Sequence, residues 1–191
     1  MVGWNDLRRE PFRLLFPLGI LFGCLGVSHW LRYALDGSAS SSGFFHASIQ
    51  VYASMFCFIA GFLMTALPRF TSASPTSTWE LLAVLSFLIA QLIFLSSGWW
   101  VAAEACVAGL LVVLAVFAAR RFVGRRSQSS PPTEFVWIPL GLSFGFIGIG
   151  MLMWAQAGHV SPWVAATGRP LAQQGFLGAI VTGVGGFMAP R

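Results

Sequence analysis

Six stretches of this chain are apolar over about the length that a helix needs to cross the hydrocarbon of a bilayer, roughly 20 residues. They run Phe12 to Trp30, His46 to Leu67, Trp79 to Leu95, Trp99 to Ala119, Phe135 to Ala155 and Leu171 to Ala189. Lipid offers no partner to a backbone N–H or C=O, so a spanning segment must satisfy its own polar groups. The predicted fold class is therefore all-α, a polytopic bundle of six transmembrane helices. Composition agrees: 57% of the 191 residues are hydrophobic and only 9% are charged, against about a quarter charged in a soluble domain. The connections, Asp36 to Gly43, Thr71 to Thr78, Ser96 to Gly98, Ser127 to Thr133 and Gly158 to Pro170, are short and carry Gly, Ser and Pro. None has room for a soluble domain, so residues 1–191 read as a single transmembrane domain.

The net charge of +5 comes from eleven Arg and no Lys, gathered in a few clusters. This is the pattern that orients a membrane protein, and it excludes a nucleic-acid-binding surface. A cytoplasmic N-terminus puts Arg8, Arg9, Arg13, Arg69, Arg120, Arg121, Arg125, Arg126 and Arg191 inside and leaves Arg32 and Arg169 outside. The expected location is a bacterial inner membrane, N-terminus in, with the bilayer as the main partner. The alternative, that Arg8-Arg9 and Leu21-Phe22-Gly23-Cys24 belong to a secretory leader, is opposed by the bulk of Phe22 and by the repeat described next. Cys24, Cys57 and Cys106 all lie in apolar runs without paired spacing, which suits small buried side chains rather than disulfides.

Pro17-Leu18-Gly19-x-x-Phe22-Gly23-x-x-Gly26 recurs as Pro139-Leu140-Gly141-x-x-Phe144-Gly145-x-x-Gly148, an offset of 139 − 17 = 122 residues. At the same offset Gly61 falls on Gly183, Pro68 on Pro190 and Arg69 on Arg191. The unit is four helices, about residues 11–120, and the first half of a second unit covers about 133–191. Two further helices are thus expected beyond Arg191, which makes the chain a fragment; a complete six-helix protein with a drifted duplication is the alternative. Gly19/Gly23 and Gly141/Gly145 have the small-xxx-small spacing that lets helix backbones approach closely.

His29, His46 and His159 all fall toward one end of the bundle, the outer one in this orientation. Neutral imidazole ligates haem iron and copper, so these three are candidate cofactor ligands, with His46 first and the candidate for metal. The plain alternative is interfacial histidine in short loops. Glu104 lies inside the fourth span near Cys106, where a charge costs roughly 2.5 to 3.5 kcal/mol at the bilayer centre. It is a candidate proton carrier, or else a carboxyl shallow enough to reach water. Gln50, Gln91, Gln156, Gln173 and Gln174 call for interhelical hydrogen bonds. Arg69 and Arg191, each following a Pro, read as snorkelling anchors or as a lock onto backbone carbonyls. No hydrolase nucleophile, phosphate loop or zinc motif is present, and soluble-enzyme chemistry is not expected.

Glu10-Pro11-Phe12-Arg13-Leu14-Leu15-Phe16-Pro17-Leu18-Gly19, His46-Ala47, Ile59-Ala60-Gly61-Phe62-Leu63-Met64-Thr65-Ala66-Leu67-Pro68-Arg69 and Gln173-Gln174-Gly175-Phe176-Leu177-Gly178 together resemble the NnrS family over essentially the whole chain. The resemblance implies a membrane protein of about twelve spans that binds haem and copper and acts in the response to nitric oxide and nitrosative stress. The family's second-span motif is like W-H-x-H-E; aligned on Gly61, its first His falls on His46, while its second His and its Glu fall on Ser48 and Ile49. Only His46 is carried over on that ground. A membrane transporter or export component, with Glu104 carrying the coupling proton, is the alternative function.

Overall fold

The computed structural model describes residues 3–36, 43–125, 133–158 and 162–188, and among these no strand occurs. A short helix, α1 (Trp4–Arg9), precedes α2 (Phe12–Asp36). Then α3 (Gly43–Ser48) passes through a π turn (Ile49–Met55) into α4 (Phe56–Thr71) as one rod. Two plain helices follow, α5 (Thr78–Ser96) and α6 (Trp100–Val123), and a 3-10 turn (Thr133–Val136) opens α7 (Trp137–Gln156). Finally α8 (Pro162–Pro170) passes through a second π turn (Leu171–Gly175) into α9 (Phe176–Met188).

Five of these rods are long and apolar enough to cross a membrane: Phe12–Leu35, Gly43–Thr71, Thr78–Ser96, Trp100–Val123 and Thr133–Gln156. They coincide with the first five expected spans, mostly running a few residues past the apolar stretch. The sixth departs from expectation. Leu171 to Met188 is helical, but it opens on the second π turn, which holds Gln173 and Gln174, and it is not one of the five. The expected connection Gly158 to Pro170 is also largely helical, as α8. Pro162 sits at its first position, where the missing N–H would have had no helical partner in any case.

Local chemistry explains the breaks. Ser77 and Glu80 form a reciprocal capping box at the start of α5, Ser77 N donating to Glu80 Oε2 at 2.8 Å and Glu80 N to Ser77 Oγ at 3.3 Å. Gly98 (φ +75°) turns the chain between α5 and α6, a left-handed geometry that costs glycine nothing. Ser72, at φ 51°, closes α4 in the same region.

The α3–α4 rod is the inner element, with 78% of its best window buried against 17% for α2. Ile20, Leu21, Val27, Leu31 and Leu35 of α2 are correspondingly exposed, the apolar face that a bilayer would cover. Helix α6 touches α4, α5 and α7 and so bridges the α2 and α3–α4 pair to the α7 and α8–α9 pair. Its Leu110, Leu111, Leu114 and Phe117 share one buried cluster with Leu63 and Leu67 of α4, Leu81 and Leu88 of α5, and Phe176 and Ile180 of α9.

At one end of the bundle, arginines lock the α4–α5 loop. The buried Arg121 binds both Glu80 oxygens and donates to Pro75 O at 3.1 Å, while its guanidinium lies 4.0 Å from the Phe117 ring centre. Arg8 Nε donates to Thr76 O at 3.1 Å. Arg69 is neither a free anchor nor a carbonyl lock: it pairs at 2.7 Å with Glu10, which also holds Arg13. Arg126 and Arg191 lie outside the described residues.

Within each pair the two helices approach each other through glycines, at matching places. A Cβ on Gly19 would lie 3.0 Å from Ser54 O, and one on Gly141 would lie 3.1 Å from Phe176 O; both members of the second contact stand 122 residues after those of the first. Gly61 meets Leu15 and Phe16, and Gly183 meets Trp137 and Ile138, again 122 apart throughout. The two π turns begin at Ile49 and Leu171, at the same spacing.

Candidate functional site

The end of the bundle away from the arginine lock carries two polar features. The first joins α2 to the α3–α4 rod. His46 Nδ1 lies 2.9 Å from Gly26 O, Gln50 Nε2 donates to Gly23 O at 3.0 Å, and Ser54 Oγ donates to Gly19 O at 2.8 Å. Residues 46, 50 and 54 recur every fourth position and so share one face of the rod. The three carbonyls belong to glycines, whose missing side chains let the polar groups reach the backbone of α2.

This ladder fixes the chemistry of His46. A carbonyl oxygen only accepts, so Nδ1 must carry the proton and donate it, which leaves the lone pair on Nε2. Metal-bound histidines are commonly held in this way, by a second-shell carbonyl on the nitrogen away from the metal. His29, on α2, is the second imidazole: its Nε2 is buried with no hydrogen-bond partner. The two rings share an aromatic patch, His29 stacking 4.8 Å from Phe45 and His46 lying 5.5 Å from Trp30. The third expected ligand, His159, lies outside the described residues. Among the described residues no group of three or more His, Cys, Asp or Glu is placed to hold a metal ion.

The second feature is deeper and centres on Glu104 of α6, which is 1% exposed. Gln156, at the end of α7, faces its carboxyl, and Arg169 of α8 acts on it through space. Tyr52, from the first π turn, feels the same carboxyl, and Gln173, from the second π turn, faces the Tyr52 hydroxyl. None of these approaches closes into a hydrogen bond. Among the described residues the Tyr52 hydroxyl, both Glu104 oxygens and Gln156 Oε1 are buried without a partner. Gln91 on α5 has both amide atoms in the same condition. The expected interhelical hydrogen bond is therefore made by Gln50, but not by Gln91 or by Gln156 Oε1.

Sequence reasoning singled out Glu104, Gln156 and Gln173 but missed Tyr52, Arg169 and Ser54. For Ser54 a signal existed, since 46, 50 and 54 are spaced to meet Gly26, Gly23 and Gly19 on an antiparallel neighbour. Nothing comparable marks Tyr52 or Arg169, whose approach to Glu104 depends on how α6 sits between the two pairs.

No curated protein and no solved structure matches the chain. A family model does: the one described as NnrS protein matches residues 6–190, nearly the whole length, over helices that suit a bilayer. This chain is a multi-pass membrane protein, and it belongs to the NnrS family.

Proposed function

We propose that this protein holds haem at its histidine end and acts in the response to nitric oxide and nitrosative stress. The observation that carries the reading is the state of its two described imidazoles. His46 donates its Nδ1–H to Gly26 O, which in the neutral ring leaves the Nε2 lone pair free, while His29 has a buried ring nitrogen without a partner among the described residues. An imidazole with an uncommitted nitrogen is what an axial ligand requires, so the donor set fits haem. His46 would hold the iron, with His29 and His159 as the further candidates. When bound, haem supplies an iron with affinity for nitric oxide; the chain's part is to orient the imidazole through Gly26 and to keep water off it with Trp30 and Phe45. Copper belongs to the reading only through the family. His29 and His46 make two soft donors, and no third is grouped with them among the described residues, so no step is assigned to copper.

The same reading sets the chain in a bacterial inner membrane with the arginine end in the cytoplasm. It treats residues 1–191 as one transmembrane domain: a four-helix unit of about 11–120 and half of a second of about 133–191. The matched glycine contacts and π turns, each 122 residues apart, support that division.

The test is to purify the full-length protein, record its visible spectrum and assay copper. A Soret band that is lost in His46→Ala while the variant keeps its helical circular dichroism is the expected result. A colourless, metal-free protein, or a band indifferent to His46, His29 and His159, would sink the haem reading.

A further inference from the structure

A second centre, separate from the histidines, lies where the two π turns meet α6. We propose that Glu104 is the proton-binding group of a hydrated chamber walled by Tyr52, Gln156 and Gln173, and that the proton reaches it from the histidine end of the bundle.

The argument starts from unsatisfied atoms. Both Glu104 oxygens, Gln156 Oε1 and the Tyr52 hydroxyl are buried and unpartnered among the described residues, and each such orphan is costly in a medium without water. An ionised carboxylate can only accept hydrogen bonds; protonated, it also donates one. A proton on Glu104 thus removes a buried charge and supplies a donor to a cluster dominated by acceptors, and water meets the remaining needs. Tyr52 and Gln173 each stand in a π turn, a helix irregularity often found at functional sites.

The charges present favour a proton over a metal ion. Among the described residues Glu104 is the one carboxylate at the centre, and the titratable or charged groups facing it are Tyr52, from the first π turn, and Arg169, from α8. The Arg169 guanidinium repels a cation, and a single carboxylate leaves a divalent ion under-neutralised.

Clefts adjoin two of the walls, Gln156 and Gln173. Gln156 lines a cleft of about 640 Å³ with Trp99, Trp100 and Ala105, and Gln173 and Arg169 line a second of about 380 Å³. Both open near the histidine end. In the loading step the proton is relayed along water: the water beside Glu104 gives one proton to a carboxylate oxygen as its own O–H bond breaks, and takes a proton from the next water outward, so that a hydronium ion outside the protein is left as water and no cation enters. Release is the reverse. The haem reading is not needed for any part of this.

The test is infrared difference spectroscopy on the full chain in lipid nanodiscs as pH is varied. The wild type should show the carbonyl stretch of a protonated carboxyl at neutral pH, shifted in heavy water and lost at alkaline pH. The band should be absent from Glu104→Gln and retained in Glu10→Gln. In Gln156→Ala, which leaves the carboxyl in place, it should change frequency, and Tyr52→Phe should move the pH at which it disappears. A wild type without the band, a band surviving Glu104→Gln, or one untouched by Gln156→Ala would overturn the proposal. So would a band that responds to sodium at fixed pH, since a metal cation would then occupy the site.

Discussion

The α2 and α3–α4 pair and the α7 and α8–α9 pair share a skeleton and differ in what fills it. In the first, His46, Gln50 and Ser54 reach across to the carbonyls of Gly26, Gly23 and Gly19. In the second, the positions 122 residues on are Gly168, Ala172 and Phe176. No polar side chain crosses from these three positions: the Phe176 ring packs beside Gly145, and at Gly148 the backbones close up, where a Cβ would lie 2.7 Å from both Ala172 Cβ and Gly168 O, and closer still to Ala172 N. On Gly26 it would meet side chains only, those of Gln50 and Ile49. One pair therefore fills its crossing with polar side chains, while the other closes further, backbone against backbone. The lesson is that a shared geometry of glycines can carry either a polar face or an apolar one, depending on three residues of the partner helix.

The largest expected effect comes from testing the close approach. Gly148→Ala has no flexible atom to push aside, because the obstructing groups are backbone and a Cβ. It should cost roughly 3 kcal/mol, at the upper end of overpacking losses. Gly26→Ala needs only the Gln50 amide and an Ile49 methyl to shift, and should cost about 1 kcal/mol, mostly through the Gln50 hydrogen bond. Thermal unfolding of both variants in one detergent checks the order. Equal losses would mean that the two pairs are not held differently.

Removing the polar reach should matter less. Ser54→Ala and Gln50→Leu each delete one side-chain bond to a carbonyl that α2 already uses in its own helix. Interhelical bonds in membranes average about 0.6 kcal/mol and rarely pass 1.7, so each variant should fall in that range. Reversible unfolding in mixed micelles would measure it, and a loss of several kcal/mol would show that the ladder, rather than apolar packing, holds the first pair together.

Much of this arrangement is legible from residue order. The apolar runs placed five spans within a few residues, because lipid exposure imposes length and composition directly. Gly19 and Gly23, like Gly141 and Gly145, have a spacing that itself points to a close helix contact. Helix α8 was not legible: Gly158, Pro162, Gly168, Arg169 and Pro170 look like loop chemistry, yet Pro162 starts the helix and Gly168 is where it packs on Gly148. Neither π turn has a residue signature, since the extra residue is accommodated by neighbours rather than by local preference. At the candidate sites, Glu104 stands out as a charge in an apolar run and His46 as an imidazole at a helix start. Tyr52 and Arg169 become relevant only once α6 is seen between the two π turns.

The smallest expected effect separates the two pairs at their other end. Glu10 clasps Arg13 and Arg69 in the first pair; the positions 122 residues on are Pro132, Phe135 and Arg191, so the carboxylate does not recur at the position of Glu10. The Arg13 hydrogen bond, then that of Arg69, hold the Glu10 carboxyl below its ordinary value of 4.5, against some opposing desolvation. A group whose folded value is depressed contributes stability that is fully present above the unfolded value and is lost as pH falls through the folded one. Wild type and Glu10→Gln should therefore differ at neutral pH and converge as pH falls past 4.5 and through the depressed folded value. Because the pair is open to solvent, the difference should also shrink as salt rises. Melting temperatures across that pH range at two salt concentrations test both statements. A gap that persists in acid would mean that Glu10 acts through packing of the α1–α2 junction rather than through its charge.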